Sequence, residues 1–273
     1  MNHIIDNGLL TRKVMVALVG CGGVGSQALS DLARLHMAMV ALGHAGGLHV
    51  TAFDDDTVSK SNVGRQLFYQ SDVGQFKSTV LIHRLNMAYG LNWTSAPERF
   101  GNERGYRTNY YDIIVSCVDT KQSRRDLAIH CHNNQCSYWL DMGNNLSDGQ
   151  VILGQPSYKH DQRDKALRKN DLPTVTVLYP EILDESIPED NNTPSCSLAE
   201  ALEHQDLFIG KSLATFGIQL LWNLFRNGGL DHHGYFVNLK AGMVTPLPVN
   251  PDVWKAMIPK KARKPRAKSI KTA

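Results

Sequence analysis

The stretch VALVGCGGVGSQ, residues 16–27, is the feature that most restricts how this chain can fold. An apolar run, Val14–Val19, leads directly into a turn rich in glycine. A continuous apolar run is typical of a parallel strand that is buried on both faces. Glycine lets the backbone approach a phosphate closely, and the following helix offers free N–H groups. The glycines of this turn are Gly20, Gly22, Gly23 and Gly25.

The residues after the turn complete a strand–helix–strand unit. Helical spacing runs over residues 26–42, and a second apolar strand, Leu48–Phe53, ends in the acidic cluster Asp54, Asp55 and Asp56. A carboxylate at the end of the second strand can accept the hydroxyl groups of a ribose. The unit therefore predicts a nucleotide site, but it serves a redox dinucleotide and ATP equally well.

Further alternation of strands and helices predicts an α/β fold, a Rossmann-like, doubly wound and mostly parallel sheet. The predicted strands are 93–99, 111–117, 138–141 and 150–153, and the predicted helices are 77–88 and 123–133. The polar, proline-containing segment 155–195 breaks this pattern and indicates a crossing loop or a flexible insertion. A long apolar helix at 208–225 and a closing hairpin at 234–237 and 242–245 follow.

Composition and charge fit one domain over residues 1–250 and a basic, disordered tail over 251–273. The chain has 273 residues, of which 42% are hydrophobic and 20% are charged, as in globular proteins. The net charge of +3 owes much to the stretch KKARKPRAK in the tail, so nucleic acid is not an expected partner. The five cysteines form no disulfide pattern, and no apolar run or leader indicates a membrane or secretion. We expect a cytoplasmic protein.

Polar and cationic residues follow the acidic strand end more densely than hydride transfer requires. They are Asn62, Arg65, Gln66 and Lys77. A triphosphate requires such groups, because negative charge develops on phosphate oxygens as pyrophosphate leaves. Arginine can bind phosphate through two N–H groups, whereas lysine acts as a point charge.

At this spacing the chain resembles the ThiF/MoeB superfamily, whose members adenylate ubiquitin and ubiquitin-like sulfur carriers. The family pattern is G-x-G-G-x-G, then D-x-D-x-V-x-x-S-N-x-x-R-Q, then G-x-x-K, then a strand ending in aspartate. The matching residues are Gly20, Gly22, Gly23, Gly25, Asp54, Asp56, Val58, Ser61, Asn62, Arg65, Gln66, Gly74, Lys77 and Asp119. The resemblance covers about residues 14–155 and, more weakly, 196–226. The stretch PSCSLAEALEHQDLFI is similar to the ThiF-family proteins of plasmid-associated PRTRC systems.

The resemblance implies a role for each matching residue. The four glycines would hold ATP, and Asp54 would bind its ribose. Asn62, Arg65 and Lys77 would contact the phosphates, and Asp56 and Gln66 belong to the same nucleotide-binding set. Asp119 would hold Mg²⁺ and would be needed for adenylation. From the residues alone, an acid after a strand can also be the N-cap of the next helix, so both roles for Asp119 stay open here.

Among the cysteines, Cys196 is the one whose position in the sequence indicates a reactive thiol. It precedes Ser197, which with Glu200 forms a capping-box pattern, and a helix N-terminus favours a thiolate. In family members that form a thioester, a cysteine stands at this place, but an ordinary loop cysteine fits equally. Cys21, Cys117, Cys131 and Cys136 are expected to be small buried residues. Many relatives bind a structural zinc through CxxC pairs; this chain has none, so no structural zinc is expected.

The family forms homodimers in which an arginine of an N-terminal arm completes the partner's ATP site, so a homodimer is expected. Only 13 residues precede the first predicted strand, and Arg12 is the sole arginine among them. Whether a second arginine reaches the triphosphate therefore stays open.

These expectations combine into an ATP- and Mg²⁺-dependent enzyme that adenylates the C-terminal carboxylate of a ubiquitin-like protein ending in glycine. Cys196 could then take the acyl group. Two alternatives remain. An NAD-dependent oxidoreductase would use the glycines and Asp54 but would leave Arg65, Lys77 and Asp119 without a role. The second alternative is a non-catalytic module that binds a partner in a plasmid system; such a module would keep the fold but would not catalyse a reaction.

Overall fold

The computed structural model of the chain describes residues 1–101, 110–134, 136–156, 171–187 and 197–258. Strands run through most of the described chain. They are β1 (His3–Ile4), β2 (Val14–Val19), β3 (Leu48–Phe53), β4 (Thr94–Ala96), β5 (Ile113–Ser116), β6 (Tyr138–Asn144), β7 (Asp148–Gly154), β8 (Gly229–Leu230), β9 (His232–Asn238) and β10 (Met243–Pro248).

Helices connect the strands and cover the sheet. They are α1 (Gly8–Thr11), α2 (Gly25–Ala41), α3 (Lys77–Tyr89), α4 (Lys121–Asn134), α5 (Val175–Leu178), α6 (Leu198–His204), α7 (Ile209–Asn227) and α8 (Pro251–Met257). Short 3₁₀ turns occur at Lys60–Asn62, Gln70–Asp72 and Pro180–Leu183. No helix among the described residues is long and apolar enough to cross a membrane.

One eight-stranded sheet, in the order β10-β9-β7-β6-β5-β2-β3-β4, forms the centre of the fold. The five strands from β6 to β4 pair in parallel, and β7, β9 and β10 extend the sheet in antiparallel fashion. The chain proceeds from β2 to β3 and β4 in one direction, then returns to β5 and β6 on the other side of β2. The prediction of a Rossmann-like, mostly parallel α/β sheet with a C-terminal helix and hairpin is confirmed.

Helices lie on both faces of the sheet. Met142 in β6 lies against α7, because a Cβ atom at Gly217 would stand 2.4 Å from its sulfur. The preceding residue, Asp141, binds Arg124 of α4 instead. Since neighbouring strand residues point to opposite faces, α7 and α4 cover different faces of β6.

Residues 171–187 correct part of the prediction for segment 155–195. This part was expected to be irregular, yet it contains α5 and the turn Pro180–Leu183. Leu172, Val175 and Leu178 are almost completely buried, and the Arg125 guanidinium donates a hydrogen bond of 3.0 Å to the Ile182 carbonyl. Burial of these apolar side chains outweighs the polar composition of the segment. Residues 157–170 and 188–195 lie outside the described residues.

Residues 251–258 correct the prediction of a disordered tail that begins at 251. Here α8 begins after Asn250, whose side chain accepts a hydrogen bond from the Asp252 N–H at 3.0 Å. Trp254 is completely buried and stacks edge-on against His233, with ring centroids 5.2 Å apart. One fully buried indole is sufficient to hold a short helix against the sheet. Residues 259–273, which include the basic stretch, lie outside the described residues.

His233 of β9 provides a test of this core. Its Nδ1–H donates to the Leu153 carbonyl at 2.7 Å, and its Nε2 is buried without a partner among the described residues. Burial lowers the pKa of His233 to about 4 from an ordinary value of 6.5. Between about pH 4 and pH 6.5 the unfolded chain therefore binds a proton at His233 that the folded chain does not. Stability should be fully present above pH 6.5 and should fall by up to about 3 kcal/mol towards pH 4.

We expect His233→Asn to remove most of that pH dependence, measured as the free energy of unfolding in denaturant at pH 7 and pH 4.5. Burial also lowers the pKa values of His3 and His36, so a smaller dependence should persist. The exposed His83, changed to Asn, is the control and should leave the dependence unchanged. If the free energy of unfolding of His233→Asn still differs between pH 7 and pH 4.5 as much as that of the unaltered chain, His233 is not the responsible group.

Candidate nucleotide-binding site

The glycine turn follows β2, at the point where the chain reverses the order in which it adds strands to the sheet, with β3 on one side of β2 and β5 on the other. The Gly20 N–H donates to the Phe53 carbonyl at 2.9 Å, and the Cys117 N–H donates to the Val19 carbonyl at 2.8 Å. The turn is thus joined to the carboxyl ends of both neighbouring strands. In open α/β sheets, ligands bind in the crevice at this switch point.

Two glycines are required by close backbone contacts. Gly20 has a φ of +89°, and a Cβ atom there would stand 2.8 Å from the Cys117 carbonyl oxygen. A Cβ atom at Gly25 would stand 1.8 Å from the Gly20 carbonyl oxygen. No side chain fits at either place, so the turn closes tightly and α2 begins directly beside it. At Gly22, by contrast, a Cβ atom would meet nothing within 4 Å, which leaves the turn open on the crevice side.

Asp54 connects the end of β3 to the glycine turn. One carboxylate oxygen accepts the Cys21 N–H at 2.5 Å, and the other accepts the Asp56 N–H at 2.9 Å. Burial raises the pKa of Asp54, while the nearby Lys77 ammonium opposes that shift. Each carboxylate oxygen can accept a second hydrogen bond, so Asp54 can still bind the hydroxyl groups of a ribose.

Lys77 begins α3 and is directed to the same place. Its side chain is only 10% exposed, and its Nζ lies 2.7 Å from Asp56 Oδ2, whose side chain is 69% exposed. An ammonium has three donors, and Asp56 takes one of them. The structure therefore brings Asp54, Asp56 and Lys77 together beside the turn. An ion pair with so exposed a partner is weak, so a phosphate can replace Asp56 at little cost.

The segment between Asp56 and Lys77, residues 57–76, folds back on itself and is called the closed segment below. Thr57 and Phe76 form an isolated antiparallel bridge, and the Arg84 guanidinium binds both the Leu67 carbonyl and Asp72, each at 2.7 Å. The Leu67 N–H donates to Ser26 Oγ at 3.3 Å. These bonds fix the segment against the start of α2 and so determine where its polar side chains lie.

Asn62, Arg65 and Gln66 occupy this closed segment. The Asn62 amide oxygen accepts the Ser59 N–H at 2.9 Å, which gives Asn62 a structural role in the 3₁₀ turn. The Arg65 Nη1–H donates to the side-chain oxygen of Gln205, whereas Arg65 Nε and Gln66 Oε1 are buried without partners among the described residues. Burial also lowers the pKa of Arg65. A partly buried guanidinium with a buried, unused Nε–H is suited to an anion.

Asp119 stands after β5, on the other side of the switch point, and is exposed. The Ser123 N–H donates to Thr120 Oγ1 at 3.1 Å, so Thr120 caps α4 and Asp119 does not. This resolves the alternative that the sequence left open. An exposed carboxylate at this edge suits Mg²⁺, which binds one or two carboxylates together with phosphates. Asp54, Asp55 and Asp56 also place carboxylate oxygens within 4.8 Å of one another.

Two features of the site were missed from the sequence. One is Gln205, the partner of Arg65. The other is a buried ion pair in which Arg124 Nε lies 3.0 Å from Asp141 Oδ1, and Ser116 Oγ donates to the same oxygen at 2.7 Å. The signal for the pair was an acid at the end of a predicted buried strand, which needs a cation nearby. It connects the end of β5 and the middle of β6 to α4, the helix that follows Asp119.

Arg12, the candidate for completing a partner's ATP site, is engaged elsewhere. Its guanidinium binds both carboxylate oxygens of Asp112, at 2.7 and 2.5 Å. Asp112 is completely buried and precedes β5, at the amino end of the parallel strands. Arg12 thus lies at the edge of the sheet opposite to the glycine turn of its own chain, where it binds Asp112.

The described cysteines are small residues of the core, as predicted. Cys21, Cys131 and Cys136 are buried, and burial raises the pKa of the Cys21 thiol well above its ordinary value. Cys117 is partly exposed, yet burial raises the pKa of its thiol too. Cys196 lies outside the described residues. The capping residue after it is confirmed in part, because the Glu200 N–H donates to Ser197 Oγ at 3.2 Å.

Similar solved structures confirm the fold. E. coli MccB determined with ATP has a TM-score of 0.55 and 14% sequence identity, over 89% of this chain and 65% of that chain. E. coli MccB with AMPCPP and MccA also has a TM-score of 0.55 and 14% identity, over 87% of this chain and 64% of that chain.

Curated relatives match about half of this chain and a minority of their own length. Ubiquitin-like modifier-activating enzyme 5 of Oryza sativa subsp. japonica is 28% identical over 155 residues, 51% of this chain and 34% of the relative. Adenylyltransferase and sulfurtransferase uba4 of Neosartorya fischeri is 34% identical over 153 residues, 56% of this chain and 24% of the relative. The tRNA threonylcarbamoyladenosine dehydratase of Haemophilus influenzae is 25% identical over 128 residues, 45% of each chain.

A model of the ThiF family matches residues 7–248, which include the turn, the closed segment, Asp119 and the C-terminal hairpin. The chain belongs to the ThiF family.

Proposed function

We propose that this chain uses Mg-ATP to adenylate the C-terminal carboxylate of a ubiquitin-like protein. The observation that carries the proposal is the pair of cations beside the glycine turn: Lys77 binds Asp56, and Arg65 binds Gln205, whose amide lies against Gly23. Asp119, which follows β5, is the proposed Mg²⁺ ligand. Hydride transfer has no use for this set. ThiF-family membership and relatives named as modifier-activating enzymes and adenylyltransferases support an adenylating activity.

In this proposal the residues of the crevice divide the work of holding ATP. Gly22, Gly23 and Gly25 bring backbone N–H groups to the phosphates, and Asp54 accepts the ribose hydroxyls. Gly20 shapes the turn, because its own N–H is bound to the Phe53 carbonyl. Asn62 and Gln66 line the closed segment, and Arg65, Lys77 and Asp56 lie towards the phosphates. Asp119 holds Mg²⁺, which when bound neutralises phosphate charge.

The reaction needs position and charge more than acid–base chemistry. A carboxylate oxygen of the substrate attacks the α-phosphorus, and the bond from that phosphorus to the bridging oxygen breaks. Pyrophosphate leaves with the electron pair, and an acyl adenylate remains. The carboxylate is already ionised, so no general base is required. Arg65 and Lys77 stabilise the charge that develops on the leaving group.

The acceptor is proposed on the grounds of similarity. Relatives are named for ubiquitin-like modifiers, and the neighbour MccB was determined with MccA. A relative named as a tRNA threonylcarbamoyladenosine dehydratase marks a different class of acceptor. We propose that the acceptor is a ubiquitin-like protein that ends in glycine. We also propose that this chain is a cytoplasmic homodimer and that it belongs to the ThiF-family proteins of plasmid-associated PRTRC systems. A small neighbouring gene whose product ends in glycine would supply the substrate.

Asp119→Asn tests the proposal through pyrophosphate exchange. With the neighbouring small protein, Mg²⁺ and ATP, the unaltered chain should incorporate labelled pyrophosphate into ATP. We expect Asp119→Asn to lower that rate by at least about 100-fold, because the amide loses the charge that binds Mg²⁺. Asp126→Asn, an exposed change on α4, is the control and should retain the rate.

Nucleotide binding separates the alternatives. The unaltered chain should bind ATP in the presence of Mg²⁺ and should not bind NADH. Tight NADH binding without a response to Mg-ATP would favour the oxidoreductase. Binding of neither nucleotide would favour the non-catalytic module.

Cys196 is proposed to accept the acyl group after adenylation. Its thiolate would attack the acyl carbon, the bond to the AMP oxygen would break, and AMP would leave. We expect Cys196→Ala to keep pyrophosphate exchange and to lose a conjugate with the small protein that dithiothreitol cleaves, seen on a non-reducing gel. Cys117→Ala is the control. A conjugate that persists in Cys196→Ala would exclude Cys196 as the acceptor.

A further inference from the structure

Gln205 lies in the space that the proposed function gives to phosphate. Its side-chain oxygen accepts a hydrogen bond from Arg65 Nη1. A Cβ atom at Gly23 would stand 3.3 Å from Gln205 Nε2 and 3.4 Å from Gln205 Oε1. The amide thus bridges the glycine turn and the cation of the closed segment.

We infer that Gln205 takes the place of a phosphate oxygen on Arg65, and that ATP binds only after it displaces this amide. The inference rests on the proposed function, because it assigns Arg65 and the turn to ATP. The segment Leu198–Gln205 is then an internal competitor for the nucleotide site.

The chemistry of Arg65 supports competition. The Gln205 amide lies between Arg65 Nη1 and Gly23, two groups that the proposed function assigns to phosphate, so a phosphate that contacts both must take the place of the amide. Arg65 Nε is buried without a partner among the described residues, so without Gln205 the guanidinium would be satisfied still less. A buried donor without an acceptor is costly, which explains why the amide is held there. An ionised phosphate is the stronger acceptor and can replace it.

The surrounding contacts allow the side chain to leave without unfolding the region. On one side, Leu198 of α6 approaches the closed segment, 3.7 Å from where a Cβ atom of Gly64 would stand. On the other side, the Asp206 N–H donates to the Leu146 carbonyl at 2.8 Å, and the Phe208 N–H donates to Asp206 Oδ1 at 3.1 Å. Gln205 therefore lies between the end of α6 and a fixed anchor at Asp206, and its side-chain amide can move while the anchor stays.

The test compares ATP affinities of the full chain in Mg²⁺ without any partner protein. Gln205→Ala should bind ATP about three- to tenfold more tightly, because the competent state no longer requires displacement of the amide. Gln205→Glu should bind about tenfold more weakly, because a carboxylate holds Arg65 more strongly and repels the triphosphate. A purely structural role for Gln205 would weaken binding in both variants. Gln219→Ala, an exposed change on α7, should have no effect.

Hydrogen exchange gives a second readout. Amides of Leu198–His204 should exchange faster in Gln205→Ala than in the unaltered chain, and adding ATP to the unaltered chain should produce the same increase. If Gln205→Ala does not fold, Gln205→Asn, which shortens the side chain by one methylene, should shift ATP affinity in the same direction.

The outcomes distinguish the two proposals. Equal ATP affinity in the unaltered chain, Gln205→Ala and Gln205→Glu would overturn the role of Gln205 and leave the adenylation proposal standing. Weaker binding in both Gln205 variants would also overturn it. If no form of the chain binds ATP, the adenylation proposal itself fails, and the proposal that Gln205 competes with ATP fails as well.

Discussion

The backbone contact between Gly25 and the Gly20 carbonyl is the constraint on which the rest of the site depends. No Cβ atom fits there, and the same is true where Gly20 meets Cys117. These contacts allow β2, its turn and α2 to follow one another without a spacer, directly at the point where the sheet reverses its strand order. Because the turn is so short, it contacts both the carboxylate of Asp54 and the backbone of Cys117 after β5.

Cations around that crevice are held by partners that an anion can replace. Lys77 is nearly buried and is paired with the exposed Asp56, and Arg65 is paired with a neutral amide. Both pairs satisfy a charge that would otherwise be costly to bury, and neither is a strong ion pair between two buried groups. The buried pair of Arg124 and Asp141 is different in kind. It joins strands to a helix and is not readily opened, so it stabilises the wall of the crevice.

The sequence was sufficient to predict the features that depend on local pattern. The strand before the turn, the helix after it, the parallel sheet and the positions of Lys77 and Asp119 at its carboxyl edge follow from periodicity and spacing. The contact between Arg65 and Gln205 joins residues that are 140 positions apart, and no local pattern encodes it. The burial of residues 171–187 and of Trp254 also escaped prediction, because apolar residues in a polar segment are buried only where the fold offers a surface. Nor does any local pattern encode the contact of Arg12 with Asp112, which is 100 positions away.

The bridge between Thr57 and Phe76 closes a long polar segment at its own base. This segment carries Asn62, Arg65 and Gln66, in addition to the backbone N–H groups of the turn and the carboxylate of Asp54 after β3. A segment whose ends meet can be exchanged between proteins of the same architecture with little effect on the sheet. Residues 57–76 are therefore the natural unit to exchange when the specificity of the candidate nucleotide site is engineered.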